Sequence, residues 1–227
     1  MCSMSKVVVQ CRGDRVYRFS PAQTALLVID LQKEFFEEGM GECLVEMRAI
    51  LPRVKRLIAI ARDLNCKVIH TRESYKPDLS DVDAYRQSLG YVGKPGPLGR
   101  FCILGEPGHE FVEESRPLPN ESVIDKASFG AFYNTSLDEL LRQDGIDHLI
   151  LCGVTTQACV HSTLREAVDR GYWCLTVADC CAALEAGMHD AALDLIAGEG
   201  HLFGWVADVQ DVASGAASSQ ASNANRE

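Results

Sequence analysis

Residues 149–170 read LILCGVTTQACVHSTLREAVDR, and this stretch decides the fold. Leu149, Ile150 and Leu151 form an apolar run of strand length. Gly153 and the Thr155-Thr156 pair interrupt it, and apolar residues then recur at Val160, Leu164, Ala167 and Val168, the spacing of a helix with one buried face. Cys159 falls where the turn becomes the helix. A thiol in a first helical turn lies beside unpaired backbone N–H groups and the positive end of the helix dipole. Both favour the thiolate, which is the nucleophilic form of cysteine.

The same unit repeats outward from this stretch. Upstream, TALLVIDLQKEFF contains a continuous apolar run, Ala25 to Ile29, as expected of a parallel strand covered on both faces, and Asp30 follows at its carboxyl end. The spacing of Leu51, Val54, Leu57, Ile58 and Ala61 predicts a helix over 44–65 that feeds the strand CKVIHTRE. SVIDK supplies a strand ending at Lys126, followed by a helix from Thr135 or Ser136. Ser136 with Glu139 fits a capping box, and Thr135 with Asp138 is the rival frame. Downstream, WCLTVADC reads as a strand, 185–197 as a helix and HLFGWVADV as a last strand. Alternating strands and helices imply right-handed crossovers and a three-layer α/β/α sandwich with a mostly parallel, roughly six-stranded Rossmann-like sheet. Residues 1–22 are expected to form an N-terminal arm or edge strand, 23–212 one domain, and 213–227, which are small and polar, a disordered tail. The segment from Ser74 to Glu114 is rich in Gly, Pro and charge, and a loop this long in a compact domain is usually a lid or binding loop.

Composition narrows the function. A net charge of -10 with no basic cluster argues against nucleic acid or an anionic membrane as partner. No apolar run approaches the roughly 20 residues that span a bilayer, and MCSMSKVVVQ lacks an apolar signal core, so a cytoplasmic location is expected. The ten cysteines include no CxxC pair, and Cys66, Cys152 and Cys174 sit in or beside strand-like runs. Reduced structural thiols, Cys180 and Cys181 among them, are therefore expected. No GxGxxG or GxxxxGK[ST] marks a phosphate cradle.

Three strands thus end in complementary chemistry. In such sheets ligands bind beyond the carboxyl ends of the strands. Asp30 there can accept a thiol proton, Lys126 can stabilise a thiolate or oxyanion, and Cys159 can attack a carbonyl. LLVIDLQKEFF, VIDKASFGAFYNT and GVTTQACVHSTLREAVDRGY together resemble the signature blocks of the isochorismatase-like cysteine hydrolases, over about residues 24–209. The resemblance implies an Asp30-Lys126-Cys159 triad, and a cis peptide between Val154 and Thr155 that would turn the N–H groups of Thr155 and Cys159 toward an oxyanion. It also implies a homodimer or homotetramer acting on a small-molecule substrate.

Within that family, IHTRESYKPDLSD, GEPGHEF and DKASFGAFYNT are most similar to the branch of biuret, triuret and ureidoacrylate amidohydrolases. This implies cleavage of a carbon–nitrogen bond through a thioester, with Phe35, Arg72, Glu73 and Asp78 at the substrate. Relatives that bind biuret carry Gln-Gly-Gly before the last strand, where this chain has Glu199-Gly200-His201. If Glu199 faces the pocket, an amide has become an acceptor-only carboxylate, favouring a substrate rich in N–H donors. Zinc-binding relatives use an Asp-x-His pair that is missing after Asp30, so no metal and no cofactor are expected. The alternatives are an isochorismatase-type vinyl ether hydrolase, which does not need the thiol, and a non-catalytic metabolite-binding relative.

Overall fold

The computed structural model describes residues 6–224. In chain order the elements are β1 (Val7–Cys11), β2 (Arg15–Phe19), β3 (Thr24–Ile29), α1 (Leu44–Ala49), α2 (Leu51–Asp63), β4 (Lys67–Glu73), α3 (Ala84–Leu89), β5 (Pro95–Gly96), β6 (Gly99–Arg100), β7 (Ser122–Lys126), α4 (Leu137–Gln143), β8 (His148–Val154), α5 (His161–Asp169), β9 (Trp173–Ala182), α6 (Met188–His201), β10 (Trp205–Ala207) and α7 (Val209–Ala224). Six strands form one parallel sheet in the order β10-β9-β8-β3-β4-β7. Every residue of β3 is buried, which is why its sequence is an unbroken apolar run.

The register explains the convergence of chemistry. Ile29 pairs with Thr71 of β4 and with Gly153 of β8, so Asp30 leaves the sheet between the ends of its two neighbours. The Gly153 position has φ 121°, and a Cβ there would lie 2.0 Å from the Ile29 carbonyl oxygen. Only glycine lets β8 approach β3 this closely.

Several elements differ from the expectations. The helix expected over 44–65 is divided into α1 and α2 at Ile50, with Pro52 in the first turn of α2, where its missing N–H costs nothing. The Ser136 side chain does not cap α4. The Thr135 hydroxyl instead accepts the Leu137 N–H at 3.2 Å, which is close to the rival frame. The N-terminal residues pair with one another as the β1–β2 hairpin and stay off the main sheet.

The expected tail is corrected most. Residues 213–224 continue α7 instead of being disordered. Small side chains, read as a mark of disorder, here permit close packing: a Cβ on Gly215 would sit 2.4 Å from the Val8 carbonyl oxygen, and Val212 and Ala216 are buried. Residues 225–227 lie outside the described part. No helix among the described residues is long and apolar enough to cross a membrane.

Candidate active site

Asp30 occupies a left-handed conformation, φ 51°, just beyond β3, and its N–H donates to the Thr71 carbonyl at 3.2 Å. Its carboxylate is fully buried. Oδ1 accepts the Thr71 hydroxyl at 2.6 Å and Oδ2 accepts the Lys126 ammonium at 2.6 Å. Lys126 ends β7 and also donates to the Ser128 carbonyl at 2.8 Å. Burial opposes its charge, but the Asp30 carboxylate beside it outweighs this and holds the ammonium above its ordinary range. Both side chains of the pair are fully buried.

Cys159 lies not in the first turn of α5 but in a wide π turn, Thr156–Val160, that joins β8 to that helix. The Val154–Thr155 peptide is cis. The Cys159 sulfur lies within 4.8 Å of a carboxylate oxygen of Asp30 and of Glu73. Burial works against the thiolate that the turn is expected to favour. Burial pushes the Cys159 thiol well above its ordinary value, Lys126 alone pulls it down, and Asp30 and Glu73 raise it further. A thiol acts as a nucleophile only after losing its proton, and a carboxylate lies within 4.8 Å of this one.

Glu73 ends β4 and is buried 41 residues of sequence away from its partner Gln32, whose Oε1 accepts the Glu73 N–H at 2.8 Å. Its Oε1 accepts the Tyr75 hydroxyl at 2.9 Å and that of Tyr91 as well. Burial pushes its carboxyl upward and the Asp30 charge adds to this, while Lys126 and the two tyrosine hydroxyls work in the other direction. Three ligand-type groups, Asp30, Glu73 and Cys159, thus converge as they would on a metal ion. Here both oxygens of Asp30 are already engaged by a hydroxyl and an ammonium, and the ammonium supplies the positive charge a cation would bring.

A cavity of about 340 Å³ adjoins this group, lined by Glu34, Met40, Tyr91, Lys94, Leu98 and Phe101 among others. Tyr91 links the two regions, because its side chain lines the cavity while its hydroxyl bonds Glu73. Glu34 is buried, accepts from Gln32 Nε2 at 2.9 Å and from the Cys102 N–H at 3.0 Å, and is pushed by burial up to about 7.

The structure brings together Asp30, Lys126, Cys159, Thr155 and Glu73. Phe35 lies one ring further back, packed edge-to-face on Phe101 at 5.3 Å. Three other positions fall elsewhere. Arg72 alternates with Thr71 and Glu73 along β4 and so takes the opposite side, where it pairs with Asp125 at 2.7 Å. Asp78 is exposed and accepts the Ser80 N–H within its own turn. Glu199 is exposed in the kinked end of α6, between Gly198 and Gly200. That helix runs back to the amino end of the sheet, so Glu199 is remote from the strand ends that carry Asp30 and Lys126.

Sequence reading passed over Gln32, Glu34 and Tyr91. Thr71 falls at the carboxyl end of the strand CKVIHTRE, the end where ligands are expected, and it stands opposite the last residue of β3. Tyr91 had no such signal, because its loop has no period.

The isochorismatase domain model matches residues 24–211. The chain is 32% identical to a ureidoacrylate amidohydrolase of Serratia proteamaculans over 206 residues, covering 84% of this chain and 82% of that protein. It is 30% identical to one from Pantoea ananatis, covering 84% and 81%. Among solved structures, a cysteine hydrolase from Pseudomonas syringae pv. phaseolicola superposes with a TM-score of 0.79 at 26% identity, over 95% of this chain and 100% of that one.

Proposed function

The chain belongs to the isochorismatase domain family, and on that premise we propose that it is an amidohydrolase using Cys159 as nucleophile on an amide, carbamoyl or ureido carbonyl. The observation that carries this is the buried thiol within 4.8 Å of the carboxylate of an Asp30–Lys126 pair. Asp30 takes the thiol proton as sulfur bonds to the carbonyl carbon. Lys126 and the backbone N–H groups of Thr155 and Cys159 stabilise the oxyanion, and one such donor is typically worth about 100- to 1000-fold in turnover. Collapse breaks the carbon–nitrogen bond, and the proton on Asp30 passes to the departing nitrogen. Water, deprotonated by Asp30, then hydrolyses the thioester and restores the thiol. Glu73, with two tyrosines donating to one oxygen, offers its remaining acceptor capacity to substrate N–H groups.

The relatives named for ureidoacrylate support a ureide as substrate. The test is ammonia release across ureidoacrylate, other ureides, carbamoyl amino acids and nicotinamide, and pyruvate release from isochorismate, with wild type and Cys159→Ala. Turnover of a ureide that is lost in Cys159→Ala is the expected result. Cleavage of isochorismate that survives Cys159→Ala would replace this scheme by the vinyl ether reaction, and no turnover at all would favour the metabolite-binding alternative. The same reading carries a cytoplasmic homodimer or homotetramer, for which sedimentation gives the mass.

A further inference from the structure

The turn that carries Cys159 begins at Thr156, which is fully buried although it bears a hydroxyl. That hydroxyl lies 2.8 Å from Nδ1 of His189. His189 is the second residue of α6, which starts after Gly187 in a left-handed conformation and packs against the Thr156–Val160 turn. Burial holds the imidazole below its ordinary value; Asp190 works against this and Arg12 with it. The ring is therefore neutral near pH 7 and can share one hydrogen bond with a hydroxyl in either sense. On its other side it faces a second cavity of about 420 Å³, whose lining includes Arg53, Asp179 and Cys181.

A π turn is wider than an α turn and is held by fewer local constraints, so its shape depends on what it packs against. Here Val160 and Ala158 donate back to the Thr155 carbonyl at 3.2 and 3.1 Å, which fixes the middle of the turn. The Thr156 side chain adds a hydrogen bond to another element. A thiol displaced by about 1 Å from its base can cost a hundredfold in rate, so such a tie affects catalysis.

We propose that His189 is a positioning residue, which holds the Thr156–Val160 turn through the Thr156 hydroxyl and so keeps the Cys159 thiol aligned with Asp30. This rests on the reading of Cys159 as nucleophile. The bond joins α6, which has no residue in the triad, to the one segment whose placement the chemistry requires.

The experiment compares wild type with His189→Ala, His189→Asn, Thr156→Val and the His189→Ala/Thr156→Val double variant, all checked for folding by circular dichroism and thermal melting. Two rates are read: alkylation of Cys159 by iodoacetamide, followed on the Cys159 peptide by mass spectrometry, and kcat and KM on any ureide that wild type hydrolyses. Each alanine or valine variant is expected to lower both rates about tenfold with KM within about twofold, and the double variant to be no worse than either, because both remove one interaction. Asparagine, whose amide can replace Nδ1, is expected to recover most of the loss. Additive losses, no change, or an asparagine variant as impaired as the alanine one would overturn the assignment. If wild type hydrolyses nothing in the panel, the proposed function fails, and the alkylation rates still decide this point.

Discussion

Lys126 and Asp30 form an ion pair with both side chains fully buried. Removing one member leaves the other as an uncompensated charge in a dry site, which costs about 3–5 kcal/mol. Lys126→Met is therefore expected to lose that much stability in urea unfolding as well as its activity, and an unchanged midpoint would show that water reaches the pair. Glu34 gives a pH signature of the opposite sense to an ordinary carboxylate. Its folded value of about 7 lies above the unfolded 4.5 because burial disfavours the charge. Below 4.5 both states hold the proton and nothing is lost. Between 4.5 and 7 the unfolded chain releases it first, so stability falls as pH rises, by at most about 1.4 kcal/mol per unit, and the loss stays constant above 7. Unfolding free energies at pH 5, 6, 7 and 8 should show this decline in wild type and a flatter profile in Glu34→Gln. Parallel profiles would mean that Glu34 is better hydrated than its surroundings suggest.

At the scale of elements, two glycines decide how closely layers meet. Gly153→Ala forces a Cβ into the Ile29 backbone at a positive φ, and a loss of more than about 3 kcal/mol is expected, with β3 and Asp30 displaced. Gly215 tests the same idea on a helix. Alanine in the middle of a solvated helix gains up to about 1 kcal/mol over glycine, but here the added carbon meets the Val8 backbone. Gly215→Ala should thus lower the melting temperature, and a rise would show that α7 sits less tightly on β1. Such contacts also mark where sequence reading stops. The strands were legible because a strand covered on both faces is apolar throughout, and β3, β4, β7 and β8 fall where their runs predict. The docking of α7 was not, because its surface of Ala, Ser and Gly has no apolar period and makes sense only beside β1. The Thr135 cap was half legible, since two competing frames differ by one residue.

Over the whole molecule, the convergence of Asp30, Lys126 and Cys159 could be read because a parallel sheet gathers strand ends on one side, so order along the chain implies proximity in space. The Gln-Gly-Gly comparison that pointed to Glu199 carries no such direction: α6 takes the chain back to the other end of the sheet before β10 begins. Glu73 could be reached from its motif, whereas its tyrosine partners come from an aperiodic loop and depend on tertiary closure. The burial of Cys159 has a consequence for survival under oxidative stress. Peroxide attacks thiolates, and Cys102, Cys152, Cys159, Cys174, Cys180 and Cys181 are all buried and all pushed toward the thiol form. Cys43 is more accessible than these six. Mapping sulfenic acid after mild peroxide treatment should find it at Cys43 before Cys159, with hydrolysis retained. A thiol kept buried and pushed away from its thiolate form is shielded from the oxidant.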